Sequence, residues 1–277
     1  MRVGTCAWSD HTGFYPPGLA ASARLPYYTR FFPLVEIDST FYRPATPRNC
    51  ARWAERSPDG FCFHLKVYRA LTWHDRQALP TPESLRAMAA ETATAAAPLR
   101  ESGKLTCLHW QFAPWFMAGP ESTAYLRAVR QALSDWPLAV EFRHRSWFAD
   151  AESQARTLQT MRDLGMTHTV CDEPQLGSGS VPPVLEATTD LGIVRLHGRN
   201  THTWYAKAGT SGERFHYRYS REELTEWVSD VTKLAATTTD IHILFNNNHE
   251  DDAVRNAAEF AALLDLGYPD PWAGRLL

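Results

Sequence analysis

The sequence predicts an α/β protein of the TIM-type (β/α)8 barrel class. Three features predict it: eight short apolar or β-branched runs, helical stretches between most of them, and polar residues gathered on one alternating face of the runs. A chain of 277 residues fits this reading as a single domain over 1–277, since α/β barrels of about 250 residues routinely fold as one unit.

The first run, 3–7, lies almost at the N-terminus. The second and third, 35–41 and 61–67, enclose a helical stretch at 46–56. An Ala-rich stretch at 82–100 leads to the fourth run, 105–112. Helical composition at 121–134 precedes the fifth run, 138–144, and at 151–164 precedes the sixth, 167–173. The seventh and eighth runs, 193–197 and 241–247, flank a stretch at 221–234, and the last helical stretch is 251–264. Strands alternating with helices imply parallel pairing through right-handed crossovers, and eight such units imply closure. The competing doubly wound sheet lacks its mark, because no Gly-rich phosphate fingerprint follows the first run. Irregularity is expected around the sixth and seventh units. Segment 173–190 carries Pro, Gly and Ser where a crossover helix belongs, and 198–219 is a polar, aromatic insertion read as a lid, with 68–81 a weaker candidate.

The composition, 44% hydrophobic and 21% charged, is that of a globular protein and excludes collagen-like or disordered chains. A net charge of −3 provides no global positive field and argues against extended duplex nucleic acid as a partner. No apolar run of membrane-spanning length occurs, and MRVGTCAW reads as a strand with no secretory signal, so a cytoplasmic protein without membrane contact is expected. The five cysteines include no CxxC pair, which points away from a disulfide framework or thiolate zinc site; Cys6 alone stands out, at a strand end.

Parity along the runs locates a site. In a barrel, alternate side chains point inward, and active sites sit where strands end. Glu36, Asp38 and Thr40 share one parity, as do His64 and Lys66, His109 and Gln111, and Glu141 and Arg143. Asp172, Arg195 with His197, and His242 with Asn246 continue the pattern. Burying such charges costs several kcal/mol per ion unless they are paired or solvated, roughly. A polar pocket at the C-terminal ends of the strands answers that cost; the competing reading is a ligand-free salt-bridge network of Lys66, Glu141, Arg143, Asp172 and Arg195. His64, His109 and His242 are read as structural. His197 ends RLHG where the long insertion starts and is read as functional. Glu141 and Asp172 are the candidate acid/base pair, with Arg143 holding one ionised. Lys66 is read as a charge clamp rather than a Schiff-base nucleophile. Loop aromatics, among them Trp8, Tyr42, Trp73, Trp115, Trp204 and Tyr205, suit ring stacking as well as plain packing.

The motifs GTCAW, VEIDSTFYRP, FCFHLKV, LHWQFAPWF, VEFRHRSWF, RLHG with a following Asn, and FNNN occur in that order along nearly the whole chain. Together they resemble the YecE-like family, domain of unknown function 72. The resemblance implies a TIM-type barrel with motif residues at its mouth: Glu36, Thr40, Tyr42, Lys66, Gln111, Glu141, Arg143, Arg195, His197, Asn246 and Asn247. It implies no reaction, since the family has none established. Two motifs depart from the family pattern: Cys6-Ala7 stands where Ser-Gly is typical before Trp, and Asp38 where Asn is usual.

These residues support an enzyme for a small anionic or polyhydroxylated substrate, phosphate- or sugar-like. In that reading Lys66, Arg143 and Arg195 form a cationic clamp, Glu141, Asp172 or His197 moves protons, and Glu36, Thr40, Tyr42, Gln111, Asn246 and Asn247 line the pocket. No cofactor is required. The alternatives are a metal-assisted phosphodiester hydrolase with a divalent ion on Glu36, Glu141, Asp172 and His197, and a non-catalytic module for a metabolite or single-stranded nucleic acid.

Overall fold

The computed structural model describes residues 1–204 and 215–273. Eight parallel strands form a closed barrel in chain order. They are β1 (Arg2–Cys6), β2 (Leu34–Ile37), β3 (Cys62–Lys66), β4 (Leu105–Gln111), β5 (Leu138–Glu141), β6 (Thr167–Asp172), β7 (Leu191–Leu196) and β8 (Asp240–Phe245), with β8 pairing back onto β1. The strand runs read from sequence therefore all exist. Those at 35–41 and 138–144 are shorter than expected, because short 3-10 turns at Ser39–Phe41 and Arg145–Phe148 take over near their ends.

The described helices are α1 (Ala21–Tyr28), α2 (Pro47–Glu55), α3 (Pro82–Glu101), α4 (Pro120–Ala132), α5 (Ala151–Asp163), α6 (Arg221–Ala235) and α7 (Asp252–Leu263). Local chemistry starts several of them. The Thr46 and Thr81 side chains accept from the backbone N–H groups of Asn49 and Ser84, each ahead of a proline in the first turn. Asp150 and Ser220 close capping boxes on α5 and α6. The sequence reading lacked α1, whose eight residues include Pro26 and have no side-chain cap. Tertiary contact holds it instead: the Tyr28 hydroxyl at its end accepts from Thr5 N at 2.9 Å and lies 2.9 Å from the Leu34 carbonyl oxygen, tying the helix to β1 and β2.

The expected irregularity is present. Between β6 and β7 the chain makes only the Gly177–Gly179 3-10 turn, while in the second loop 205–214, Tyr205 among them, lie outside the described residues. No helix among the described residues is long and apolar enough to cross a membrane.

The main apolar core lies between strands and helices, where Phe112 stacks on Phe116 and Phe142 on Trp147. The barrel interior is different. It holds two small apolar clusters, Cys6 with Leu34 and Leu244, and Cys107 with Ala139 and Ile193. There His64 Nε2 lies 2.8 Å from His242 Nδ1, and His242 Nε2 lies 3.3 Å from Asp240 Oδ2, the structural role expected of both. The rest of the interior is polar. Register pairs Cys6 with Glu36, Glu36 with His64, Lys66 with His109, Gln111 with Glu141, and Cys171 with Arg195, so these side chains share the inner face.

Gly4 sits where β1 presses closest on β2: a Cβ there would run into the Leu34 backbone carbonyl. Gly4→Ala is expected to destabilise the barrel by about 1–3 kcal/mol, the usual cost of overpacking, read as a lowered urea midpoint at unchanged slope. An unchanged midpoint would mean that the two strands separate freely at this point.

Candidate active site

Arg195 is the centre of the polar interior. Alternation along β7 turns it inward, and it is fully buried. One Nη donates to Glu36 Oε1 at 2.7 Å and lies 3.3 Å from Cys6 Sγ; the other donates to Glu141 Oε2 and lies 3.4 Å from Gln111 Oε1. A single guanidinium thus spans the barrel from β2 to β5. His109 Nδ1 adds a contact at 3.0 Å to Glu36 Oε2. Burial alone would raise both carboxyls, but Arg195, helped by His109 at Glu36 and by His197 and Arg143 at Glu141, holds both below the usual carboxylate range. Burial pushes the Cys6 thiol well up despite Arg195.

Glu141 is held from three sides. Its Oε1 accepts from Arg143 at 3.1 Å and lies 3.2 Å from His197 Nε2. Asn246 Nδ2 lies 2.8 Å from His197 Nδ1, and Asn248 Nδ2 reaches Asn246 Oδ1 at 3.4 Å. That orientation of the amide assigns the His197 proton to Nε2, facing Glu141. Burial holds the His197 pKa down to about 3 even against the pull of Glu141, so the neutral ring is a fixed donor that aims the carboxylate.

Arg143 continues outward to Glu173 Oε2 at 2.6 Å and lies 5.3 Å from the Trp204 ring centroid. Glu173 was not among the sequence candidates. Its Oε1 accepts from Val181 N at 2.8 Å, and burial pushes its pKa up to about 7 although Arg143 opposes the shift. Asp172 faces the other way. Register sets it beside Leu196, and on that outer face it accepts from Arg199 Nε at 2.9 Å and from the Tyr219 hydroxyl at 2.7 Å. The expected pairing of Glu141 with Asp172 in one pocket is thus corrected: the inward acid beside Glu141 is Glu173.

Lys66 stands apart. Its ammonium lies 4.7 Å from the Phe41 ring centroid and forms no ion pair among the described residues. Burial lowers its pKa, with Arg195 adding to the effect. Asp38 nearby is pushed up to about 6 by burial against the pull of Lys66. The loop after β3 adds His74, its ring centroid 4.7 Å from that of Phe41. Burial, then Lys66, Arg143 and Arg69, hold the His74 pKa down to about 3.

Of the remaining candidates, Gln111 and Asn246 belong to the cluster, whereas three side chains do not line it. The Thr40 hydroxyl lies 2.5 Å from the Lys66 carbonyl oxygen and fastens the loop after β2 to β3. Tyr42 is 64% exposed, with its ring 5.1 Å from that of Phe41. Asn247 is fully buried and donates to Tyr217 O and Asn256 Oδ1, which anchors the approach to α6. Cys171, unpicked in the sequence, joins Glu141 and His197 in a group whose donor atoms lie within 4.8 Å of one another. That group suits a cation poorly, since Arg195 and Arg143 already hold Glu141 and burial keeps the Cys171 thiol protonated. The hydrolase set fares no better, because Arg195 lies between Glu36 and Glu141 and Asp172 is outside. A cavity of about 510 Å³ between the loop after β2 and α3 meets this region only at Thr40 and Lys66 and is otherwise mostly apolar.

A family model described as "Protein of unknown function DUF72" matches residues 2–274. The chain belongs to the DUF72 family. The UPF0759 protein YunF of Bacillus subtilis (strain 168) is 38% identical over 272 residues, 97% of this chain and 96% of that protein. A crystal structure of a DUF72 family protein from Enterococcus faecalis V583 matches with a TM-score of 0.87 at 29% identity, covering 100% of this chain and 99% of that one. Another, from Thermotoga maritima MSB8, matches with a TM-score of 0.83 at 31% identity, covering 95% and 98%. Membership agrees with the barrel and with the motif order. In the first motif, Ala7 has φ of 75°, a left-handed conformation that costs an alanine roughly 1–2 kcal/mol.

Glu173 makes this DUF72 barrel's stability depend on pH. Because its folded pKa lies above the unfolded value, unfolding releases a proton between the two, and stability falls as pH rises through that window. A shift from 4.5 to about 7 is worth roughly 3–4 kcal/mol. Urea unfolding of wild type and Glu173→Gln at about pH 4 and about pH 8 is expected to show the wild type losing roughly that amount relative to the variant. A constant difference between the two proteins would mean that Glu173 titrates as an ordinary surface acid.

Proposed function

We propose that this DUF72 barrel is an enzyme acting on a small anionic or polyhydroxylated substrate, phosphate- or sugar-like, bound over Lys66 at the C-terminal ends of the strands. One observation carries the reading. Arg195, Arg143 and Arg199 each have carboxylate partners, whereas Lys66 has none among the described residues and faces the same mouth. A desolvated cation without a partner is a strong site for a phosphate or carboxylate group. The low pKa of His74 fits this, since Lys66, Arg143 and Arg69 contribute to lowering it.

Proton transfer falls to two carboxyls with opposite shifts. Glu141 stays ionised and Glu173 holds its proton up to about 7, with Arg143 between them at 3.1 Å and 2.6 Å. Paired acids whose surroundings drive their pKa values apart suit base and acid roles. His197 and Asn246 aim Glu141, Gln111 and Asp38 border the mouth, and Asp172 shapes the loop through Arg199. Glu36 acts through Arg195.

The test is a thermal-shift series with inorganic phosphate, sugar phosphates, free sugars and nucleotides on wild type, Lys66→Ala and Lys66→Arg, followed by a turnover assay of any stabilising compound. An anion is expected to raise the wild-type Tm, with affinity falling at least about tenfold in Lys66→Ala, the loss of one charged hydrogen bond, and partly recovering in Lys66→Arg. Stabilisation unaffected by Lys66→Ala, or absent for every anion, would sink the clamp. A ligand recovered unchanged after long incubation would replace the enzyme with a binding protein.

A further inference from the structure

A second cluster of ligating groups lies on the rim, away from the mouth. His216 is on the chain entering α6, His249 follows β8, and Asp252 opens α7. The two imidazoles stack with ring centroids 3.6 Å apart and planes 16° from parallel. His249 Nδ1 lies 3.9 Å from Asp252 Oδ2, and one donor atom from each of the three residues lies within 4.8 Å of the other two. The backbone beneath them is well fixed: Asn200 Nδ2 donates to His216 O at 2.9 Å, Asn247 Nδ2 to Tyr217 O at 2.7 Å, and Asn256 Oδ1 accepts from Tyr219 N at 3.0 Å.

Several features set this group apart from a chance pairing of surface histidines. Among the described residues neither imidazole has a hydrogen bond to its ring nitrogens, so these remain open to coordinate. Asp252 is nearly buried, and Arg218 donates to its Oδ1 at 2.6 Å, which orients the carboxylate while Oδ2 faces His249. A cation that holds one carboxylate oxygen while the other is offered to a metal is the usual outer support of a ligating acid. His216 is exposed and can turn its ring to converge with the other two.

We infer that His216, His249 and Asp252 bind a divalent transition-metal ion of the zinc type at the rim of the barrel. Two imidazole nitrogens and one carboxylate suit zinc, cobalt or nickel rather than magnesium or calcium, and three protein ligands leave a position for water. The ion would join the connection after β7 to the connection after β8. Phe215, next to His216, places its ring centroid 6.2 Å from that of His197 and 5.9 Å from that of Trp204. Binding would therefore fasten the aromatic cover of the Glu141 site. The inference does not depend on Lys66 or on any substrate.

The test is titration of the chelator-stripped full chain with Zn²⁺ by calorimetry, with Co²⁺ absorption as an independent report of coordination. Saturable binding of one ion is expected, weakened at least about tenfold by His216→Ala and by His249→Ala, and unaffected by His202→Ala, a nearby exposed histidine outside the cluster. His216→Ala is safe for folding because the side chain is exposed. No saturable binding would overturn the inference, as would binding that survives both variants, which would place the ion elsewhere, for instance on Glu141, Cys171 and His197.

Discussion

The structure depends on one guanidinium. Arg195 lies inside a closed ring of strands, bonded to Glu36 across one side and Glu141 across the other. Removing three charges from water costs several kcal/mol per ion, roughly, and the attraction among them returns that only with close geometry. Closure provides the geometry. β2, β5 and β7 are not neighbours in the sheet, and only a barrel brings their inner faces to one axis. With Arg195 in place both carboxylates stay ionised. Without it, burial would raise both carboxyls, leaving Glu36 to His109 and Lys66 and Glu141 to His197 and Arg143.

From that centre the polar interior divides into two layers. The inner one, Glu36, His109, Arg195, Glu141 and His197, is buried and largely satisfied by itself. Such a network adds little stability over apolar packing; it fixes Glu141, which Arg195, Arg143 and His197 all face. The outer layer, Lys66, Asp38, Gln111 and Arg143 with Glu173, is where charges are incompletely matched and where the loops give access. Of the five residues in the salt-bridge reading of the sequence, Glu141, Arg143 and Arg195 do join one network, whereas Asp172 pairs with Arg199 on the outer face and Lys66 has no ion pair among the described residues.

Much of this was legible in the sequence because the physics is periodic. Alternation turned Glu36, Lys66, Gln111, Glu141, Arg195 and Asn246 to one face; the register agrees at the first five, and Asn246, just past β8, reaches His197. Alternation failed where it was ambiguous. The run CDE offers acids of both parities, and only the pairing of Cys171 with Arg195 shows that Asp172 points out and Glu173 in. The FNNN motif has the same difficulty: Asn246 reaches His197, while its neighbour Asn247 serves the helix side. Tyr42 follows a 3-10 turn, where the strand period no longer applies, and its ring is exposed. α1 and His74 were invisible for another reason. Contacts distant in sequence, Tyr28 on Thr5 and His74 beside Phe41, hold them, and no local pattern records those.

The placement of the aromatics ties the two layers together. Trp204 lies over Arg143, and Phe215 and Trp204 both approach His197, so the connection after β7 covers the groups that orient Glu141. Lys66 sits on the other side of the mouth, against Phe41 and away from that cover. A ligand held by Lys66, as proposed, would reach Glu141 from the side of β3 and β4, past Gln111. The inner network gives Glu141 its charge and direction, and Trp204 and Phe215 pack beside the His197 ring that aims it.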